Sequence, residues 1–356
     1  MLEGIRKDID TGLREYLKTA RMDIVKGSSA GLLYEGIRDF AERDGKRVRP
    51  MLMVISYMGY TRRKKAVYSK IIRCALSLEL AHDFFLMHDD VIDDSDLRRG
   101  QPTLHKVFNK KLGRNDRDSL GPNLSIVAGD VLYTMAVETL MSFEEDPRRK
   151  QKALSQFLKM CRDTGIGEFL DVVNDISRIN DISEEDILLT YTLKTARYTF
   201  EGPLLIGAVL AGREKKELGR LSRLGLALGR AFQIQDDLLD IFSTSKKIGK
   251  PVLSDLNESK KTLFARRAYE NLNQRDRHSL KRIFEKDRKN YNDLVMFRNL
   301  IKKSEAHKYC IRRSEDLVSE AGALLAELGM KAEYKKALED LVSKVFSKTE
   351  ELKKLI

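Results

Sequence analysis

The chain has 356 residues, of which 66 are basic and 54 acidic, so its formal net charge is +12. Its three cysteines, Cys74, Cys161 and Cys310, fit neither a disulfide framework nor a zinc-binding spacing, which argues against a disulfide-stapled secreted scaffold and predicts a reducing, cytoplasmic compartment. The sequence shows no run of eighteen apolar residues and no apolar signal core, so we expect no transmembrane segment.

Helical periodicity runs along the chain from its first segment, MLEGIRKDIDTGLREYL, to its end. Apolar residues recur three and four positions apart, and the alternation typical of sheets is missing. The sequence therefore predicts an all-α protein. We expect one large domain over residues 1–356, in which residues 263–356 form charge-rich helices for packing and shielding.

A few residues mark helix starts and loops. Asp146 before Pro147 is typical of an N-cap followed by proline at the first helical position, and Ser183 with Asp186 resembles a capping box. Loops are expected near residues 100–103, 115–123 and 243–257. Basic residues alternate with acids at helical spacing, as in EKDRKNYNDL, which favours a solvated helix face over a nucleic-acid interface.

Two aspartate-rich segments, HDDVIDDSDLRRG from His88 and QIQDDLLDIF from Gln233, each contain the pattern D-D-x-x-D. On a helix of about 3.6 residues per turn, Asp89 and Asp93 share one face, and so do Asp236 and Asp240. Carboxylate pairs of this kind suit Mg²⁺, which binds through one or two carboxylates and substrate phosphate oxygens. The sequence thus predicts a metal-dependent site for a polyphosphate substrate.

A single D-D-x-x-D would more simply be a charged helix face. Both copies, however, follow apolar helical stretches, ALSLELAHDFFLM and LGLALGRAFQI, where solvated charge would be out of place. Arg98 and Arg99 follow the first copy and Lys250 follows the second, so each is accompanied by cations suited to phosphate oxygens.

Several segments in chain order resemble the trans-isoprenyl diphosphate synthases. They are GKRVRPML from Gly45, DDVIDDSDLRRGQPT from Asp89, KTARYTFEGPLLIGAVLAG from Lys194, QIQDDLLDIF from Gln233, and GKPVLSDLNESKKT ending at Thr262. The resemblance implies a helical bundle around a central cavity, of the type I isoprenoid synthase kind, that acts as a homodimer. Its substrates would be isopentenyl diphosphate and an allylic diphosphate (dimethylallyl, geranyl or farnesyl), with Mg²⁺ as cofactor and Mn²⁺ as the alternative.

The resemblance also implies roles for individual residues. Metal would be held by Asp89, Asp90, Asp93, Asp236, Asp237 and Asp240. The allylic substrate would contact Arg98, Lys194, Thr195, Gln233, Lys250 and Lys260. Of these, Lys194, Thr195 and Gln233 would take part in catalysis together with Asp89, Asp93 and Asp236. Isopentenyl diphosphate would bind at Gly45, Lys46, Arg49, His82 and Arg99.

Simpler interpretations remain for four of these positions. Lys46 and Arg49 would be surface charges outside the GKRVRP context, His82 in an apolar helix could be a core histidine, and Gln233 could be a buried amide. Two positions depart from the family pattern: the loop after the second motif lacks an acidic residue after Gly249, and Ser259 stands where glycine is common.

The helix before the first motif predicts product length. Ser77, Ala81, Phe84 and Phe85 form one stripe next to the metal-bearing face, and the two rings lie roughly one turn from Asp89. A shallow floor of this kind favours a short product, farnesyl or geranylgeranyl diphosphate, although both rings could be core residues.

The alternative functions are a class I terpene cyclase, a non-catalytic partner of a synthase and, more remotely, a nucleic-acid binder.

Overall fold

The structure is a computed structural model that describes residues 1–20, 30–63, 67–113, 119–242, 254–347 and 352. Across these residues the protein is helical apart from one two-stranded hairpin, which confirms the predicted all-α class. The chain divides into two compact units, one of residues 1–156, 205–214 and 330–337, the other of 157–204, 215–329 and 338–356. The expectation of a single domain stays a prediction.

The elements of the first half of the chain, in order, are α1 (Leu2–Ala20), α2 (Ala30–Ala41), α3 (Val48–Tyr60), α4 (Tyr68–Ile92), β1 (Leu97–Arg98), β2 (Gln101–Pro102), α5 (Leu104–Leu112), α6 (Leu120–Met141) and α7 (Pro147–Ile176). Those of the second half are α8 (Glu184–Thr190), a π-helix (Tyr191–Glu201), α9 (Gly202–Leu210), α10 (Lys215–Phe242), α11 (Ser254–Asn257), α12 (Leu263–Asn271), α13 (Gln274–Phe284), α14 (Tyr291–Lys303), α15 (Ala306–Ala326) and α16 (Ala332–Val345).

In the first unit α4 is the central helix, and it packs chiefly along α6 and further against α3 and α1. Its side chains are buried on several faces, including Ile71, Leu76 and Leu80. A helix that is apolar nearly all round belongs to a protein core. The exception is its C-terminal turn, where the first aspartate motif begins.

In the second unit α10 packs against α15 and against the π-helix. Small residues bring these backbones together: a Cβ on Gly229 would lie 2.2 Å from the Cα of Ala196, and one on Gly167 of α7 would lie 2.3 Å from the backbone nitrogen of Lys194. Larger residues at either glycine would therefore push the helices apart. The contacts fix the π-helix between α7 and α10.

Local signals in the sequence agree with the helix starts. Asp146 accepts hydrogen bonds from the backbone N–H groups of Arg148 and Arg149, and α7 begins at Pro147 as expected. Ser183 and Asp186 form the reciprocal bonds of a capping box at the start of α8. Both predictions are confirmed.

The loop predictions are partly wrong. Residues 100–103 include the second strand of the hairpin, whose turn residues Arg99 and Gly100 have φ angles of 56° and 75°. Two successive left-handed residues make the type of tight turn that suits a two-residue hairpin. Helix α6 already begins at Leu120 and α11 occupies Ser254–Asn257, while residues 114–118 and 243–253 lie outside the described residues.

Helix α6 is, within the described residues, the one helix long and apolar enough to cross a membrane by length and composition alone. Its most apolar window has a mean hydropathy of 1.4, and 44% of that window is buried inside the protein. A core helix of a folded protein passes the same test, and α6 lies along α4. The finding is weak evidence for a membrane span.

Candidate active site

The first aspartate motif lies at the C-terminal end of α4. Asp89 and Asp90 occupy the last turn, and Asp93 follows the final residue, donating its backbone N–H to the carbonyl of Asp89 at 2.9 Å. The C-terminus of a helix carries a partial negative charge, so aspartates are unfavourable there unless a cation is close. This position favours cation binding.

Arg98 supplies that cation. Its Nε donates to Oδ1 of Asp90 at 2.6 Å and its Nη2 donates to Oδ2 of Asp89 at 2.8 Å. Asp90 is 1% exposed, and its Oδ2 has no hydrogen-bond partner. Burial raises the pKa of the Asp90 carboxyl to about 6, although the Arg98 guanidinium opposes the shift. A buried carboxylate oxygen without a partner is suited to a further cation.

A second group of charges surrounds the GKRVRP segment. Arg47, whose φ angle is 50°, precedes α3 and is almost fully buried. Its Nε donates to Asp10 at 2.8 Å, its Nη1 to Glu79 at 2.5 Å, and its Nη2 to the carbonyl oxygens of Ala41 and Arg43. Arg47 therefore anchors the segment to α1, α2 and α4, a role that the sequence did not reveal.

The predicted isopentenyl diphosphate residues of the first unit come together around this anchor. A Cβ on Gly45 would lie 3.2 Å from Nη1 of Arg99, so the hairpin turn and the GKRVRP segment are adjacent. Lys46 and Arg99 are exposed. Burial holds the pKa of His82 well below its ordinary value, and the charges of Arg49 and Arg99 lower it further. A neutral His82 thus lies among the predicted phosphate-binding arginines.

The second aspartate motif lies in the last two turns of α10, again at the negative end of a helix. Asp236 is exposed and Asp240 is partly buried. Asp237 accepts a hydrogen bond from Nε2 of Gln233 at 2.7 Å and another from the hydroxyl of Tyr191. Both its oxygens thus accept hydrogen bonds, and its predicted role as a metal ligand stays a prediction.

Gln233 links this motif to the π-helix. The hydroxyl of Thr195 donates to Oε1 of Gln233 at 2.6 Å, while the amide nitrogen of Gln233 is the donor to Asp237. The chain Thr195 to Gln233 to Asp237 fixes the amide orientation. A π-helix is rare and often marks a functional site, and this one carries both Lys194 and Thr195.

Lys194 is held by two carboxylates of α7. Its Nζ lies 2.8 Å from Oε2 of Glu168 and 2.7 Å from Oδ2 of Asp171. All three side chains are about a fifth to a quarter exposed, so the ammonium is fixed near the surface of the second unit. Glu168 and Asp171 are not among the residues predicted from the sequence, although their spacing of three residues on α7 places them on one helix face.

The loop that carries Lys260 is held by two buried lysines. Lys261 donates to the carbonyl oxygens of Asp175 and Ser259, each at 2.7 Å, and Lys289 donates to the hydroxyl of Ser259 and the carbonyl of Asn257. Burial lowers the pKa of Lys261 to about 8. Lys260 itself lies 2.7 Å from Oε2 of Glu258.

Ser259 occupies the loop position at which glycine is common in the family pattern. Its φ angle is 60°, in the left-handed region that favours glycine. Its hydroxyl donates to the carbonyl of Phe284 at 3.1 Å and accepts from Lys289. These two bonds offset the backbone strain of the serine. Lys250 and the rest of the loop after the second motif lie outside the described residues.

The predicted chain-length residues line α4 where it faces α6. The ring of Phe84 lies 4.6 Å from that of Phe85, 4.7 Å from His88 and 5.3 Å from Tyr133 of α6. Ala81 and Ser77, one and two turns earlier, are fully buried. Phe84 is therefore packed in an aromatic cluster beside the first aspartate motif.

The donor set fits a divalent metal that also binds phosphate. Among the described residues, no three His, Cys, Asp or Glu side chains are grouped so as to hold a metal ion by themselves. Mg²⁺ needs no such cage, since it binds through one or two carboxylates and completes its shell with water and substrate phosphates. The hard oxygens of Asp89 and Asp90 in the first unit match that preference, and so, taken separately, do those of Asp236 in the second. A cavity of about 630 Å³ between α13 and α14 is lined by none of the predicted site residues.

Residues 31–301 match the polyprenyl synthetase family. The short chain isoprenyl diphosphate synthase of Methanocaldococcus jannaschii is 32% identical over 283 residues, which are 80% of this chain and 76% of that protein. The crystal structure of the geranylgeranyl pyrophosphate synthetase of Pyrococcus horikoshii is 29% identical, with a TM-score of 0.81 and coverage of 97% and 96% of the two chains.

The geranylgeranyl pyrophosphate synthase of Corynebacterium glutamicum, solved with isoprenyl diphosphate and magnesium, shares the fold with a TM-score of 0.88 at 24% identity, over 97% of this chain and 99% of that one. The family match covers most of the chain and both aspartate motifs. The protein belongs to the polyprenyl synthetase family of prenyltransferases.

Proposed function

We propose that this enzyme joins isopentenyl diphosphate head to tail to an allylic diphosphate and releases a short-chain trans-prenyl diphosphate. The observation that carries the proposal is the placement of carboxylates at the negative ends of α4 and α10, the first pair bound by Arg98, in a chain that also has the Lys46, Arg49 and Arg99 group for a second diphosphate. A terpene cyclase is not favoured, because the family match is to polyprenyl synthetases.

Members of this family use a divalent metal. We propose Mg²⁺ here, with Mn²⁺ as a substitute, held by Asp89, Asp93 and Asp236 with Asp90, Asp237 and Asp240 as further ligands or supporting groups. When bound, the metal neutralises charge that accumulates on the leaving diphosphate. Since Arg98 already pairs with Asp89 and Asp90, the guanidinium is placed to share their negative charge with the metal and to bind phosphate oxygens.

The reaction needs no nucleophilic side chain. The C–O bond of the allylic diphosphate breaks with its electron pair going to the diphosphate, and the double bond of isopentenyl diphosphate then forms the new C–C bond. One proton is lost, and the released diphosphate is its acceptor. Arg98, Lys194, Lys250 and Lys260 would bind the allylic diphosphate, while Thr195 and Gln233 would orient the site and stabilise positive charge on the allylic carbon.

The metal requirement is tested by removing one carboxylate from each motif. Asp89→Ala and Asp236→Ala should each lower kcat/KM on the order of a thousandfold, because each removes several kcal/mol of charge stabilisation in the transition state. Helical content should stay unchanged by circular dichroism. Asp96→Ala is the matched control, since Asp96 is an exposed neighbour paired with Lys106; near wild-type turnover in Asp89→Ala or Asp236→Ala would contradict the metal assignment.

The carboxylates around Lys194 give a second prediction. We expect Glu168→Gln and Asp171→Asn to lower kcat on the order of tenfold each, because an ammonium held at one point instead of two is less well placed at the reacting centre. The KM for isopentenyl diphosphate should hardly change. Steady-state kinetics with each substrate varied in turn measures both constants.

Two controls separate positioning from general electrostatics. Glu305→Gln, which removes one charge from an exposed pair with Lys308, should keep wild-type kinetics. Glu168→Asp should recover part of the lost kcat. Unchanged kcat in both amide variants, or an equal rise of KM for both substrates, would show that the two carboxylates do not position Lys194.

Product length is proposed to be set by the aromatic cluster at Phe84 and Phe85, which favours farnesyl or geranylgeranyl diphosphate. Phe84→Ala should open space beside Tyr133 toward the small residues Ala81 and Ser77, and products should lengthen by one or more isoprene units. Phe84 is only partly buried, so the loss of stability should be below the roughly 3 to 5 kcal/mol of a fully packed Phe. Chromatography of the products measures their chain length. Unchanged length in an active Phe84→Ala/Phe85→Ala double variant would show that other residues stop elongation.

We further propose a cytoplasmic homodimer. Helix α7 exposes an apolar stripe at helical spacing, in which Phe169 is 68% and Ile176 84% exposed and Ile166 and Val173 are also exposed. A stripe of this size on a folded protein is typical of an interface, and a second copy offers the same stripe for a two-fold contact. The three cysteines are buried free thiols, consistent with a reducing compartment.

A charge in the stripe should dissociate such a dimer. Phe169→Glu is expected to sediment as a monomer at micromolar concentration, whereas Leu189→Glu, an exposed apolar residue of α8 outside the stripe, should keep the wild-type mass. Analytical ultracentrifugation measures both. A wild-type monomer, or a Phe169→Glu dimer, would contradict this interface.

A further inference from the structure

Asp83 is a buried carboxyl that none of the roles above explains. It lies on α4 directly after His82, is 0% exposed, and neither of its side-chain oxygens has a hydrogen-bond partner. Nearly all buried polar groups in native proteins are hydrogen-bonded, and an unpaired buried carboxylate would be costly. A group kept under such conditions is a candidate for function.

The surroundings of Asp83 are strongly charged. Glu79 lies one helical turn earlier, and Arg47, Arg49 and Arg99 lie close enough for their charges to act on the Asp83 carboxyl. Three of these four groups belong to, or anchor, the half-site proposed for isopentenyl diphosphate. Asp83 therefore lies next to a concentration of positive charge that a diphosphate would need.

Titratable groups on three helices around α4 have partners of their own. Asp10 of α1 accepts from Arg47, His105 of α5 lies 3.4 Å from the hydroxyl of Thr103, and Asp130 of α6 lies 3.8 Å from His88. Glu79 is already bound by Arg47. Asp83 differs from these carboxyls, because neither of its side-chain oxygens has a hydrogen-bond partner.

We propose that Asp83 is a positioning residue of the isopentenyl diphosphate half-site, whose carboxyl stays protonated so that the neighbouring arginines keep their full positive charge for the diphosphate. This inference rests on the proposed function of that half-site. Ionisation of Asp83 would place a negative charge beside Arg49 and Arg99, which would pair with them and weaken their attraction for phosphate oxygens.

The direction of the Asp83 pKa shift agrees with a buried, protonated carboxyl. Burial, reinforced by Glu79, raises the pKa of Asp83 to about 8, and the arginines only partly oppose the shift. An aspartate that is protonated when folded and ionised when unfolded lowers the stability of the fold as pH rises from its ordinary pKa to its folded pKa. Above about pH 8 both states are ionised, and the loss levels off.

The charge state can be measured without any substrate. Asp83→Asn keeps the shape of the protonated carboxyl and removes its titration, so this variant should melt at a higher temperature than the wild type, with a difference that grows from about pH 5 to about pH 8. The control is Asp163→Asn, because Asp163 is equally buried but ion-paired with Arg197. This control should melt lower than the wild type. If Asp83→Asn also melted lower, Asp83 would be an ionised partner of the arginines and the proposal would be wrong.

The second measurement is equilibrium binding of isopentenyl diphosphate by titration calorimetry, with no allylic substrate present. The affinity of the wild type should fall relative to that of Asp83→Asn on the order of tenfold between about pH 7 and about pH 9, as the wild-type carboxyl ionises. A constant ratio of the two affinities would overturn the positioning role. If neither protein bound isopentenyl diphosphate at any pH, the proposed half-site itself would be wrong, an outcome distinguishable because the melting difference would persist.

Discussion

Negative charge concentrated at the negative ends of two helices is the constraint on which this site depends. Helix α4 carries Asp89 and Asp90 in its last turn, and α10 carries Asp236 and Asp240 in its last two turns. Both the helix dipole and the mutual repulsion of the carboxylates oppose such an arrangement unless cations are near. The two motifs are stabilised differently. Arg98 binds the carboxylates of the first motif, and hydrogen bonds from Thr195 to Gln233 and from Gln233 to Asp237 support the second.

Carboxylate side chains hold in place cations that lie in, or anchor, the proposed substrate sites. Glu79 and Asp10 fix Arg47, which anchors the GKRVRP segment, and Glu168 and Asp171 fix Lys194. Pairing of this kind orients a cation before substrate arrives, and such preorganisation is a large part of electrostatic catalysis. Lys261 and Lys289 donate hydrogen bonds to backbone carbonyls and thereby hold the loop that presents Lys260.

The sequence predicted the parts of the site that depend on short-range spacing. The helix starts at Pro147 and after Ser183, and the helices that carry the two aspartate motifs, follow from patterns within a few residues. The contacts that it did not predict join distant segments: Glu168 and Asp171 are more than twenty residues from Lys194, and only the close approach of α7 and the π-helix brings them together. The sequence did not predict the hairpin, because its turn places Arg99 in a left-handed conformation that is uncommon for arginine.

The central claim is prenyl transfer between two diphosphates, and the most direct measurement is product analysis with the purified chain. The protein would be incubated with isopentenyl diphosphate, Mg²⁺ and each of dimethylallyl, geranyl and farnesyl diphosphate, and the products would be dephosphorylated and separated by chain length. Linear farnesyl or geranylgeranyl products that require both substrates and Mg²⁺ are predicted. A cyclised hydrocarbon formed from one allylic substrate alone, or no transfer from any primer by the folded protein, would contradict the account.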